Sequence, residues 1–410
     1  MTGGRLRAIR RLAKQVLNGA RLIAGLMLGL PLRLLAPFYR IEVQRIWGER
    51  VGHLALEPEL LLSQREGKPI ERTLTLFFNS RPVANQFMLQ MWQRKLPTGP
   101  SWLLGPIYEA NKRWPWLDTG ARGWDEQHFD LRSLDEVSPH VTFTREESDR
   151  GKRLLEELGV PEGMPFVCLA VRDSAYLAAT DPSKDWTYHN YRDSDISTYV
   201  AMAKFLTEAG YAVLRMGAVV NEPLKANSPL VIDYATSGLR SDFGDVFLFA
   251  HCAFCISTST GMDALAMLFR RPLGITNLAS TGGMQIGGPL VLIMCKDYAD
   301  LETGQALSLD CDKRVSAMRL FRTQDLTALG VRVIDNSPDE LVDFAREMVA
   351  VTSGTLDEDP LVLARGKELI QRLHPDSRIR ESSFLLSPAW LRTRLRDESA
   401  RSSRQSPDDH

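Results

Sequence analysis

The chain has 410 residues, of which 44% are hydrophobic and 25% charged, and its formal net charge is −1. These are the proportions of a soluble globular protein with room for two ordinary domains and some extra segments. The near-neutral total excludes a molecule drawn to nucleic acid over its whole surface.

The charge is unevenly spread. Residues 1–41 carry Arg5, Arg7, Arg10, Arg11, Lys14, Arg21, Arg33 and Arg40 and no acid. Leu6, Ile9, Ala13, Val16, Leu17 and Ala20 recur at helical spacing, with Arg7, Arg11, Lys14, Asn18 and Arg21 filling the other side. The apolar run 22–32 follows, interrupted by Pro31, Arg33 and Pro37. The uninterrupted part falls short of the about 20 residues a bilayer crossing needs. A long basic start without a small-residue cleavage site also fits a signal peptide poorly. The pattern predicts an amphipathic helix over 1–40 lying on anionic lipid, with the protein peripheral on the inner face of the cell membrane. The alternative is a helix that packs its apolar face on the protein's own core.

Beyond it, strand-like runs alternate with helical patterns, the signature of an α/β fold with largely parallel sheets. Residues 45–62 read as a strand, a glycine turn and a helix, 73–79 as a strand and 82–96 as a helix. In the second half the predicted strands are 165–172, 211–217, 253–258 and 272–277. The predicted helices are 195–210, 245–252, 261–269 and 337–351, with Asp195 as an N-cap and Gly210 as a stop. A charged helical segment over 141–164 reads as a hinge. The expected organisation is thus the membrane helix (1–40), an N-terminal domain (41–150), a C-terminal domain (151–350), closing helices that cross back (351–394) and a disordered polar tail (395–410).

Five scattered cysteines suggest free thiols in a reducing compartment. Cys252 and Cys255 form a lone C-x-x-C with neither a second pair nor histidines at a zinc-site spacing, so they read as buried thiols. The acidic triplets at 193–195 and 310–312 read as caps or turns, and no metal set emerges. The stretch 111–130, with three tryptophans, is given no role.

Residues 256–272, ISTSTGMDALAMLFRRP, place Ser257, Thr258, Ser259, Thr260 and Gly261 between a strand and a helix. A strand, a hydroxyl-rich turn and a helix start can point backbone N–H groups at a phosphate, and such ligands bind at the carboxyl ends of parallel strands. Arg172, Lys184, Arg192 and Arg215 lie near predicted strand ends of the same domain, supplying charge that a diphosphate needs. Asp173 is placed to orient Arg172.

Residues 241–277 resemble the donor-binding half of heptosyltransferase-type glycosyltransferases of the two-Rossmann GT-B architecture. Gly244 and Asp245 match the start of one helix, Thr260 and Gly261 the loop, and Ala266 and Pro272 the flanks; Asp263 stands where that family has histidine. Lys184 and Trp186 match its Lys-x-Trp segment, which implies a diphosphate contact for Lys184. The stretch HNYRDSDI (189–196), followed by GYAVLRMG (210–217), also resembles a bacterial glycosyltransferase family of surface-carbohydrate assembly. In the N-terminal half, Arg50, Gly52 and Pro58 match the family's acceptor loop, with His53 in place of its catalytic Asp. Histidine suits proton removal near neutral pH; Glu57 and Glu59 are the alternatives. Asn79, Ser80 and Arg81 are candidates for the acceptor side.

The resemblance implies a metal-independent glycosyltransferase with no cofactor beyond its nucleotide-sugar substrate. A glycan or lipid-linked sugar would be the acceptor, in polysaccharide or lipopolysaccharide synthesis, with no nucleic-acid partner. The donor contacts would be Arg172, Lys184, Arg192, Arg215, Ser257, Thr258, Ser259, Thr260, Gly261 and Asp263, and the base His53 or Glu57. Two other readings stay open: a nucleotide-sugar 2-epimerase-like enzyme, and a non-catalytic sugar-binding protein of the same fold.

Overall fold

A computed structural model describes residues 2–66, 72–79, 81–120, 131–281, 288–356, 359–373 and 384–405. Two compact units emerge, Met1–Asp130 with His140–Thr142, and Leu131–Pro139 with Phe143–His410. The helix Arg145–Glu157, expected as a hinge, belongs to the second unit and is closed by a reciprocal Thr144–Glu147 capping box.

The first unit opens with one helix, Thr2–Leu35, that continues past Pro31. The proline, expected to end the apolar stretch, sits in the penultimate turn, where it removes one backbone hydrogen bond without ending the helix. The helix lies on the helix Ser101–Arg113 at Gly25. A Cβ on Gly25 would come within 2.0 Å of the Pro106 carbonyl oxygen, so the approach requires glycine there. Gly29 faces Leu117 in the short turn beyond. Strand β1 (Arg40–Ile46) pairs in parallel with β2 (Thr73–Asn79), Ile46 opposite Asn79. Leu104 and Ile107 pack with Val43 and Phe78 to form the local core.

Strand β1 begins five residues earlier than predicted, because Arg40 and Glu42 are buried as a pair rather than left in a loop. The turn then falls at Trp47–Arg50, and the helix Val51–Arg65 starts at once. Gly52 and His53 are therefore in a first helical turn, not in a glycine loop. The predicted helix 82–96 starts later, at Gln86, because the Asn85 side chain caps it at the Met88 N–H, 2.8 Å away. Ser80 and residues 121–130 lie outside the described residues.

The second unit is built on a seven-stranded sheet. Its strands are β3 (Phe166–Ala170), β4 (Ala212–Arg215), β5 (Val231–Ile232), β6 (Phe254–Ser257), β7 (Leu273–Leu278), β8 (Val291–Cys295) and β11 (Phe384–Leu386). The order is β11-β8-β7-β6-β3-β4-β5, with every pairing parallel. Every residue of β3, β6, β7 and β8 is buried, as expected of a parallel sheet covered on both faces. A separate antiparallel pair joins β9 (Asp297–Asp300) to β10 (Val331–Ile334).

The chain leaves β3 toward β4 and β5 on one side, then returns past β3 to build β6, β7 and β8 on the other. The sense of winding therefore reverses between β3 and β6. In open parallel sheets this reversal opens a crevice at the carboxyl ends of the two strands. The final helix, Pro388–Gln405, extends into the stretch expected as a disordered tail.

Candidate functional site

The crevice between β3 and β6 collects many of the donor residues named from sequence. Ala170 and Ser257 are register partners at the two strand ends, and the backbone N–H of Arg172 donates to the Thr258 hydroxyl at 2.8 Å. The guanidinium of Arg192 reaches across from the 3-10 turn Thr187–Arg192 to donate to the Ser259 carbonyl at 2.5 Å. Arg172, Arg192 and the loop after β6 therefore form one assembly.

Within the loop the hydroxyls serve the fold. Ser257 donates to the Asp263 carboxylate, and Thr260 donates to the same oxygen at 3.2 Å. Thr260 also accepts from the Met262 N–H at 3.2 Å. The helix that comes next, Asp263–Leu268, has six residues instead of the nine expected, and its first turn already holds an anion, the buried Asp263. The dipole of so short a helix adds correspondingly little at its start. The features turned to account are backbone ones. Ser259 is held in the left-handed region at φ 60°, and among the described residues the N–H groups of Ser259, Thr260 and Gly261 have no acceptor. Successive N–H groups in such a bend make a concave anion seat.

The charges around this loop are imperfectly compensated. Arg172 Nε lies 3.3 Å from Asp193 Oδ1, yet neither atom makes an aligned hydrogen bond, although both are buried. Burial, and next the nearby charge of Arg192, pull the Arg172 pKa down, with Asp193 offsetting only part of this. Burial raises the Asp193 pKa. The Asp263 carboxyl is pushed up to about 6, first by burial and against the two hydroxyl hydrogen bonds. Two guanidiniums thus crowd a partly buried site beside a carboxylate that burial biases toward its neutral form, an arrangement that a bound anion would relieve.

Lys296, absent from the residues singled out in the sequence, supports this cluster. It is 1% exposed at the end of β8 and donates to the Asp193 carbonyl at 2.7 Å, with Asp335 2.8 Å away. Asp193 reads from sequence as a turn residue. The signal for both is position, since each lies at the carboxyl edge of the sheet, but β8 is not among the predicted strands.

Other candidates sit elsewhere. Arg215 is fully buried at the end of β4, between Asp233 at 3.5 Å and Asp173 at 3.9 Å, so it braces loops inside the unit. Asp173 thus meets Arg215 rather than orienting Arg172, and also accepts from the Ala175 and Asn221 N–H groups. Lys184 is exposed and makes its contacts locally, with Asp181 at 2.9 Å and over the Trp186 ring. Cys252 and Cys255 are buried free thiols. Among the described residues no group of three His, Cys, Asp or Glu is placed to hold a metal ion.

In the first unit, His53 Nδ1 lies 2.5 Å from Glu57 Oε1, one helical turn on. Glu57 is buried and His53 is partly exposed. A carboxylate that accepts from Nδ1–H leaves the lone pair on Nε2, the tautomer of a general base. Glu59, the other alternative, is fully buried and accepts from His140 Nδ1 at 3.1 Å.

No protein-family model and no curated protein matches the chain. Among solved structures it is similar to the ADP-heptose lipopolysaccharide heptosyltransferase II of E. coli, at 12% identity and a TM-score of 0.41, over 76% of this chain and 100% of that one. It is also similar to a glycosyl transferase family 9 protein of Veillonella parvula, at 9% identity and a TM-score of 0.39, over 77% and 98%. A third is E. coli heptosyltransferase WaaC with ADP-2-deoxy-2-fluoro heptose, at 11% identity and a TM-score of 0.33, over 62% and 93%. Likenesses this shallow do not assign an activity to the chain.

Proposed function

We propose that the protein is a glycosyltransferase of GT-B type, moving a sugar from a nucleotide-sugar donor to a glycan or lipid-linked acceptor in surface-polysaccharide or lipopolysaccharide synthesis. The second unit supplies the donor half and the first unit the acceptor half. The reading is supported above all by the meeting of Arg172, Arg192 and the N–H groups of Ser259–Gly261, which have no acceptor among the described residues, at the winding reversal of the seven-stranded sheet. The motif resemblance of residues 181–218 and 241–277 names the class of anion, a sugar-linked pyrophosphate.

In the proposed reaction His53 Nε2 takes the proton of the acceptor hydroxyl, and Glu57 stabilises the imidazolium so formed. The acceptor oxygen bonds to the anomeric carbon while the bond from that carbon to the pyrophosphate oxygen breaks. The leaving group departs with the electron pair, and Arg172 and Arg192 meet the added negative charge. Neither step calls on a metal ion.

The test is a thermal-shift screen of nucleoside diphosphates and nucleotide sugars. A donor that binds the native state should raise the midpoint with the logarithm of its concentration, and Arg172→Ala should require at least about tenfold more donor for the same rise. Incubation of the stabilising sugar nucleotide without acceptor then separates the epimerase reading. Unchanged sugar fits a transferase, and an isomerised sugar overturns it.

A further inference from the structure

We propose that the helix Thr2–Leu35 and its neighbour Ser101–Arg113 form a monotopic docking surface for an anionic bilayer, with the helix lying in the interface and not crossing it. The inference rests on the first unit alone and does not depend on the transfer reaction.

The helix has two faces with different duties. Arg11, Lys14, Arg21, Gly25 and Gly29 are separated by three, seven, four and four residues, which places them on one side. That is the side toward the protein, because Gly25 touches Pro106 and Ala110, and Gly29 faces Leu117. Leu12, Val16, Ile23, Met27, Leu30 and Leu34 recur at four, seven, four, three and four residues, on the opposite side. All six are exposed, Met27 and Leu34 to 68% and 75%. An apolar ridge therefore points away from the first unit along the helix, while Arg11, Lys14 and Arg21 flank the side toward it.

This polarity fits a bilayer approached from above. The ridge would enter the acyl boundary, and Arg11, Lys14 and Arg21 would stay level with the headgroups, between lipid and protein. Trp102 stands four residues before Pro106 on the face that meets the helix, and is 73% exposed. An exposed aromatic beside such a helix suits the headgroup level. By length and hydropathy Arg11–Leu35 would suffice to cross a membrane. Crossing would drag the packed Ser101–Arg113 helix and the Arg11, Lys14 and Arg21 charges into hydrocarbon, which the two-faced arrangement opposes.

The occupant is a lipid surface because a cationic flank without acids, bordering an apolar ridge, matches anionic headgroups over acyl chains. A second copy of the chain would bring the same cations against themselves.

The full chain is tested by flotation with vesicles of phosphatidylcholine alone and of phosphatidylcholine mixed with phosphatidylglycerol. Binding to the mixed vesicles is expected, weakened by salt and released by an alkaline carbonate wash that leaves spanning proteins in place. The variant Val16→Glu/Ile23→Glu/Met27→Glu should lose it. Arg11→Gln/Lys14→Gln/Arg21→Gln should weaken it more than about tenfold on the mixed vesicles only. Circular dichroism of both variants separates lost binding from lost folding. A folded wild type that stays unbound, a wash-resistant protein, or a ridge variant that binds as before each overturns the proposal. So does a wild-type dimer in light scattering that the ridge variant abolishes, which would make the ridge an interface between copies.

Discussion

The crevice after β3 and β6 and the turn after β1 hold equivalent places, each at the carboxyl edge of a parallel sheet, but they differ in charge economy. In the first, strand ends bring Arg172 and Lys296 to Asp193 beside Arg192, and burial, then the charge of Arg192, lower the Arg172 pKa. In the second, groups pair with partners four residues away in the chain, as Arg45 with Glu49 and His53 with Glu57. The wide sheet gathers like charges from distant parts of the sequence, whereas the turn after β1 draws these two partners from the next turn of chain. The first arrangement suits holding an anion, the second suits moving a proton.

The largest effect is expected at His53 and Glu57, the proposed proton-transfer pair. Glu57→Gln should keep the fold and lower kcat by about 10²–10⁴-fold, with KM for the donor little changed. Steady-state kinetics on the substrate found by the thermal screen reads this. A donor KM that rises while kcat holds would place His53 and Glu57 outside proton transfer.

Next in size is Asp263. Its folded pKa, about 6, lies above the ordinary carboxyl value of 3.8. The native state therefore binds the extra proton, and the stability this confers is full below about pH 4 and lost as pH rises through 6. Above that, the buried carboxylate costs about 3 kcal/mol. Asp263→Asn should raise the unfolding midpoint at pH 7 and leave it nearly unchanged at pH 4. Part of the slope should persist, because Asp245 is also raised to about 6 by burial. Urea melts across this range decide it, and equal melts for wild type and variant at pH 7 would contradict the burial argument. Ligand binding sharpens the same point. An ionised Asp263 beside Ser259–Gly261 repels phosphate, so nucleotide affinity should fall between pH 5 and pH 7 in the wild type and stay level in the variant.

The smallest effect is expected at Lys184. Exposed and paired with Asp181, it should lose less than about threefold in donor affinity on change to alanine. A much larger loss would mean that the turn around Trp186 closes on the ligand.

Local structure was the legible part of the sequence. The strand 73–79 is found as predicted, the helix expected over 337–351 runs Pro338–Thr352 behind a Ser337 cap, and Asp195 caps the turn at Ser197. Boundaries failed where tertiary pairing overrides local pattern, as at β1, where buried Arg40–Glu42 extends the strand backward. The apolar run of β8 had no periodicity to distinguish strand from helix. In the site, Arg172, Arg192 and the hydroxyl-rich loop were visible as residue types at strand ends. What they touch was not, since that depends on the order β6-β3-β4. Arg215 ends a strand like Arg172 but is turned inside, and Asp193 rather than Asp173 stands beside Arg172. Lys296 is about a hundred residues from Asp193 in the chain, and only the parallel sheet brings the two together.

The central claim is that Arg172 and Arg192 together receive a pyrophosphate at the β3–β6 crevice. Calorimetric titration of a nucleoside diphosphate into the wild type, Arg172→Ala, Arg192→Ala and the double variant measures it directly. Each single change should weaken binding by at least about tenfold, and the double variant should lose less than the sum of the two, because both contact one ligand group. Undiminished affinity in the folded double variant would contradict the account.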